Sequence, residues 1–131
     1  MARKKPKVQW GPAGAFALPK LLMDHPDFRE LSGSALKVLL ALGYQHNGFN
    51  NGDLSCTSTT MSEWGGMSPT TLAKALRELQ ERNLIIKSRD AQVGREGPRC
   101  ALYAFTWAPI DDCGGKLDIS PTTTPRRRLS K

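Results

Sequence analysis

Residues 57–89 constrain this chain more than any other stretch. They read Thr57-Ser58-Thr59-Thr60-Met61-Ser62-Glu63-Trp64-Gly65-Gly66-Met67, then Ser68-Pro69-Thr70-Thr71-Leu72-Ala73-Lys74-Ala75-Leu76-Arg77-Glu78-Leu79-Gln80-Glu81-Arg82-Asn83, then Leu84-Ile85-Ile86-Lys87-Ser88-Arg89. The middle segment predicts a helix with both ends signposted. Ser68 is a good N-cap, because its hydroxyl can accept from the free backbone N–H groups of the first turn. Pro69 follows at the first helical position, where a missing N–H costs nothing. Leu72, Leu76, Leu79 and Asn83 fall on one side, and the remainder are mostly strong helix formers. Thr70, Lys74, Arg77 and Glu81 fall roughly opposite. Asn83 ends the helix, since Asn tolerates the left-handed conformation.

The preceding segment is rich in Ser and Thr and predicts only a short helix, capped by Thr57 or Ser58, with Met61 and Trp64 facing inward. Gly65-Gly66 breaks it and Met67 packs the corner. A short helix, a glycine turn and a capped longer helix form a helix-turn-helix signature. The apolar, β-branched run at 84–89 adds a strand directly after it.

Around this centre the chain divides into three. Residues 1–14 form a flexible basic arm, interrupted by Pro6, Gly11, Pro12 and Gly14. Residues 15–110 form the folded domain. A short helix is expected from Phe16 to Asp24, stopped by His25-Pro26. Ser32 then caps a helix carrying Leu36, Val38, Leu39, Leu40, Leu42 and Tyr44, apolar enough to be the buried central helix of a three-helix core. The Asn-Gly pairs at 47–48 and 51–52 mark a loop. Leu54-Ser55-Cys56 would be a very short strand pairing with a hairpin wing. That wing has a first strand at 84–89 with Leu84 and Ile86 on one face, a loop at 90–99, and a return strand at 100–107. Residues 111–131, with Gly114-Gly115, Pro121, a threonine run, Pro125 and Arg126-Arg127-Arg128, read as a flexible, disordered basic tail. The expected fold class is therefore mainly α with a small antiparallel sheet (α+β).

Charge matters here by its placement. The net charge is +7. Eight of the cations lie in residues 1–10 and 121–131, which hold no acid, so residues 11–120 carry −1. Within that span, residues 68–99 hold seven cations against four acids. The cationic side of the domain is thus the helix-turn-helix and wing. Cys56, Cys100 and Cys113 are odd in number and widely spaced, which argues against a disulfide framework and for a reducing, cytoplasmic setting. The basic start is not followed by an apolar run, so no secretory signal is expected. His25 and His46 stand alone without metal-ligand spacing, so no metal or other cofactor is expected. Asp111-Asp112 reads as a solvated turn. Phosphate-binding loops, dinucleotide fingerprints and nucleophile elbows are missing, so no catalytic residue and no enzymatic activity is expected.

Several segments together resemble the winged helix-turn-helix family, and more narrowly the small bacterial winged-helix proteins of prophages, plasmids and other mobile elements. They are Leu36-Lys37-Val38-Leu39-Leu40-Ala41-Leu42, Asn50-Asn51-Gly52-Asp53-Leu54-Ser55, Met67-Ser68-Pro69-Thr70-Thr71-Leu72, and 76–85. The resemblance spans about residues 31–107. Gly65-Gly66 departs from it, since an apolar residue and a single glycine are usual there. The resemblance implies a winged helix-turn-helix, with a three-helix core and a β-hairpin wing. It implies a double-stranded DNA-binding protein, a transcriptional regulator acting as a dimer or at tandem sites, with the Ser68 helix entering the major groove. Ser68, Thr70, Thr71 and Lys74 would meet base edges or phosphates, with Arg77 further along. Lys87, Arg95 and Arg99 of the wing would touch the adjacent backbone. Arg3, Lys4, Lys5 and Lys7 would add phosphate contacts from the arm, or else serve only as a solubilising tail. Two other readings use the same fold. One is a protein-binding module acting on a nucleic-acid-handling complex, motivated by a near-neutral core and by Trp10, Phe49 and Trp107. The other is a replication-initiation factor.

Overall fold

The computed structural model describes residues 9–94 and 97–129. Among them five α-helices are followed by four short strands: α1 Lys20–Met23, α2 Pro26–Arg29, α3 Gly33–Gln45, α4 Ser58–Ser62, α5 Pro69–Glu81, β1 Ile85–Arg89, β2 Gln92–Gly94, β3 Gly97–Arg99 and β4 Leu102–Phe105. Two of the helices, α3 and α5, are substantial. The class is mixed α+β, with two small antiparallel two-stranded sheets.

The ends of α5 form as their residues dictate. Ser68 Oγ accepts from Thr71 N at 3.2 Å, and Pro69 occupies the first turn. At the other end Asn83 takes φ 57°. Leu84 N then reaches Leu79 O at 3.0 Å, and Asn83 N reaches Gln80 O at 3.0 Å. This paired bonding satisfies the last carbonyls and turns the chain into β1. The short α4 has a reciprocal cap between Thr57 and Thr60. It closes with Gly65 and Gly66 at φ 93° and 84°, a left-handed run that other residues take up at a cost.

The core lies where α3 packs along α5, with α4 and the sheet completing it. Leu22, Val38, Leu39, Leu42, Leu54, Met61, Leu79, Leu84 and Phe105 are fully buried. An aromatic stack crosses it: Phe16 lies 5.4 Å from Phe105, and Phe105 lies 4.4 Å from Trp107. Phe16 occupies the space that a Cβ on Gly43 would need, so this glycine is required by packing.

In the sheet, β1 pairs with β4 in the register Ile85↔Phe105, Ile86↔Ala104, Lys87↔Tyr103 and Arg89↔Leu102, with a bulge at Ser88. Leu54 forms a single bridge to Tyr103, so the expected short strand is reduced to one residue.

Several expectations need correction. The first helix shrinks to Lys20–Met23, because Phe16 and Leu18 pack from an extended run that leads to the N-cap Pro19. His25-Pro26 starts a helix instead of only ending one: Pro26 sits at the first position of α2, and His25 Nδ1 accepts from Asp27 N at 3.0 Å. The central helix α3 is not buried all round. It buries Ala35, Val38, Leu39, Ala41 and Leu42, while Leu40 is exposed and Tyr44 is 77% exposed. In the strand expected at 84–89, Leu84, Ile85 and Ser88 are buried and Ile86 only half-buried, because Ser88 turns inward at the bulge and donates to Gly52 O at 2.6 Å. The region 90–99 is not an open loop. Gln92↔Arg99, Val93↔Pro98 and Gly94↔Gly97 pair as a second ladder, β2 with β3.

The largest correction concerns residues 111–129, which pack on the domain and do not trail from it. Thr122 and Ile110 exchange bonds, Thr122 N to Ile110 O at 2.9 Å and Ile110 N to Thr122 Oγ1 at 3.0 Å. Asp118 N reaches Ser88 O at 2.8 Å, and Arg127 N reaches Thr106 O at 2.7 Å. The Arg127 guanidinium, with its side chain 10% exposed, binds Asp27 Oδ2 at 3.0 Å and the carbonyls of Arg82 and Asn83 at 3.2 Å. These partners are scattered backbone groups, so the segment needs no repeating pattern. The folded unit therefore runs well past residue 110. The basic arm at 1–8 lies outside the described residues.

Candidate functional site

The outer face of α5 is the leading candidate. Its inner side buries Leu72, Ala75 and Leu79, with Leu76 half-buried. That fixes the rotation of the helix and leaves Thr70, Lys74, Arg77 and Glu81 exposed. Lys74 and Arg77 form no ion pair among the described residues. Their charge is available to a ligand.

Not every predicted residue is equally free. Ser68 accepts from Thr71 N and donates to Thr71 Oγ1 at 2.9 Å, so its hydroxyl is committed to the cap. Thr71 is half-buried and keeps its own O–H for donation, because it accepts from Ser68. Lys87 on β1 lies 3.5 Å from Asp90 Oδ1, which offsets its charge. Arg99 on β3 is exposed. Arg95, Arg3, Lys4, Lys5 and Lys7 lie outside the described residues.

Two clefts flank α5 on the side facing α3. One, of about 600 Å³, is lined by Ser32, Ser34, Thr71, Lys74, Arg77 and Glu78, among others. The other, of about 520 Å³, is lined by Ser34, Lys37, Gly66, Ser68 and Thr71, among others. The structure thus gathers Thr71, Lys74 and Arg77 in one cleft and Ser68 and Thr71 in the next, while Lys87 and Arg99 belong to the sheets. Ser34 and Lys37 are lining residues that sequence reasoning missed. Lys37 sits within an apolar helical run, and nothing local says that its neighbour is the glycine turn.

Glu78 has a role beyond its pair with Arg82. Its carboxylate accepts from Ser32 N and Ser32 Oγ at 2.8 Å each, tying the start of α3 to the middle of α5. It stands 3.7 Å from Arg82 Nε. The two helices are therefore locked in relative position where the clefts lie.

Burial pushes the Cys56 thiol up to about 11, so it stays protonated at neutral pH. Burial also raises Cys113, aided by Asp53 and Asp111. All three cysteines are free. Among the described residues no cluster of three or more His, Cys, Asp or Glu is placed to hold a metal ion, and no helix is long and apolar enough to cross a membrane. No protein-family model matches the chain, and neither a curated protein nor a solved structure matches it.

Proposed function

We propose that the protein binds double-stranded DNA through a winged helix-turn-helix, laying α5 into the major groove with its amino end leading. In this reading it is a transcriptional regulator of a bacterial mobile element or prophage. The observation that carries the proposal is the exposed Thr70-Lys74-Arg77 edge of a helix whose rotation and ends are both fixed. An unpaired cation beside a hydroxyl suits a phosphate, and Arg or Thr at the groove floor suits a base edge. The order α3, α4, α5, β1, hairpin, β4 supports the winged reading, with β2 and β3 as the wing and Arg99 at its base. Val93, 92% exposed on that wing, has no core to serve. Glu81 repels phosphate, so the carboxyl half of α5 leaves the groove. One helix reads few base pairs, which favours a dimer or tandem sites.

Titration of purified protein against duplex DNA at several salt concentrations tests this. Counterion release makes the affinity fall steeply with salt. Lys74→Ala weakens binding by about 10-fold, equivalent to roughly 1.4 kcal/mol. Wild-type binding that ignores both salt and Lys74 would overturn the groove assignment. Replication initiation would use the same contacts, and a selected site that matches an origin would point to it.

A second reading is favoured by a separate observation. Leu40 and Tyr44 of α3 are exposed, Trp64 packs edge-on against Tyr44 with centroids 6.1 Å apart, and Phe49 is 84% exposed. An apolar face of this kind fits a protein partner. Tyr44→Glu separates the two readings: it abolishes association with a stoichiometric protein partner while leaving the DNA shift intact.

A further inference from the structure

The two clefts beside α5 are parts of one channel. They share Ser34 and Thr71, one continuing past Lys74 and Arg77 and the other past Lys37, Gly66 and Ser68. One wall is the opening of α3 and the other is the flank of α5. Lys37 belongs to α3, yet its ammonium lies over the glycine turn: a Cβ built on Gly65 would stand 3.2 Å from Lys37 Nζ. Gly65 therefore makes the turn, at φ 93°, and also leaves room for the lysine beside the start of α5.

Charge along the channel is uneven. The end near the turn holds Lys37 with the hydroxyl residues Ser34, Ser68 and Thr71, and Lys74 lines the other cleft beside Arg77. The acids, Glu78 and Glu81, lie toward the other end. Glu78 is already engaged by Ser32 and Arg82. Lys37 forms no ion pair among the described residues, and nor does Lys74. Ser68 donates within the cap, so the hydroxyls of Ser34 and Thr71, which line both clefts, are the donors beside the two cations, and they match a chain of singly charged phosphodiesters that accept from ammonium and hydroxyl together.

We infer that this channel seats the phosphodiester backbone of one DNA strand, with Lys37 of α3 as the cation set against Lys74 of α5. The inference rests on the DNA-binding reading above and deepens it by adding a second helix to the interface. The outer edge of α5 reaches into the groove while the α3 wall holds the strand at its rim. A backbone contact carries no base information, so Lys37 acts on affinity for every duplex alike.

The experiment uses the full chain, a duplex selected from a random pool by the wild type, and one duplex of unrelated sequence. Both are titrated between about 50 and 200 mM salt, where counterion release is read directly. Lys37→Ala, Lys37→Arg, Lys74→Ala and, as a remote control, Lys20→Ala are compared. Lys37 is exposed, so its removal leaves the thermal midpoint unchanged. Lys37→Ala lowers affinity for both duplexes by about fivefold and reduces the salt slope by about 0.9, one phosphate's worth, while Lys37→Arg restores both. An affinity and slope identical to wild type, in a protein where Lys74→Ala does weaken binding, overturns the channel and leaves the DNA reading intact. The same holds if Lys20→Ala matches Lys37→Ala, which is a net-charge effect, or if only the selected duplex is affected, which is base reading. A wild type that binds neither duplex overturns the DNA reading and the channel with it.

Discussion

At the scale of single residues, Asn51 shows how a loop residue can hold a fold together. It sits in an Asn-Asn-Gly run that reads as a turn, yet it is fully buried. Its side-chain amide donates to the carbonyls of Phe105, Ala108 and Pro109 at 3.0, 3.2 and 2.9 Å, and its Oδ1 accepts from Phe105 N at 2.7 Å. Asn51→Leu keeps the branched shape but strands those backbone groups. Each stranded group costs about 1–3 kcal/mol, so chemical denaturation shows a loss of about 3 kcal/mol or more. His46 carries a second prediction. Its ring packs edge-on against Phe16 and Phe105, at 6.2 and 5.7 Å. Burial holds its pKa below the ordinary 6.5, and the nearby Asp111 only partly opposes this. The folded state therefore takes up its proton later than the unfolded chain does as pH falls. Its stabilising contribution is complete above pH 6.5 and is lost as pH falls from there through the folded pKa. Thermal melts across that window show the decline, and His46→Gln flattens it.

At the scale of elements, α5 behaves as a rod made rigid at both ends. The Ser68 cap and the left-handed Asn83 are local devices, and neither substitution removes a side chain of the exposed edge. Asn83→Gly leaves stability within about 0.5 kcal/mol, because glycine accepts the same backbone angles. Asn83→Val loses about 1–2 kcal/mol, the cost of holding a branched side chain in the left-handed region. Ser68→Ala loses about 1 kcal/mol. Denaturation midpoints read all three. In the DNA reading, Ser68→Ala also loosens the first turn that carries Thr70 and Thr71, so affinity drops together with stability. A loss of affinity without loss of stability would mean that Ser68 touches the ligand directly.

At the scale of the whole molecule, the segment 111–129 acts as a strap tied to several separate parts of the fold. Arg127 links α2, through Asp27, to the carboxyl end of α5. Lys116 reaches Asp53 at 2.7 Å, and Asp118 accepts from Asp90 N at 3.0 Å. Truncation after residue 120 removes the Thr122 and Arg127 bonds together, and it lowers stability by more than Arg127→Ala does. The single substitution breaks a largely buried charged contact and costs about 1–3 kcal/mol by denaturant titration. If both proteins unfold at the wild-type midpoint, the strap contributes nothing to the fold.

Neighbours in the chain settle among themselves how α5 and the turn before it form. The caps and leucine stripe of α5, the glycine turn and the left-handed Asn83 depend on residues within a few positions of one another, and all could be read directly. Only the tertiary structure decided what depends on distant partners. Asn51 is buried because its amide meets backbone more than fifty residues away. Residues 111–129 pack without periodicity because their bonds go to irregular carbonyls and amides. Tyr44 is exposed because the apolar run of α3 wraps further round the helix than its packing neighbours reach. Lys37 stands beside the turn because α3 packs along α5 through the core, with the Ser32–Glu78 tie fixing the start of α3. Local patterns record which way a helix faces, and the assembled core alone records what stands in front of it.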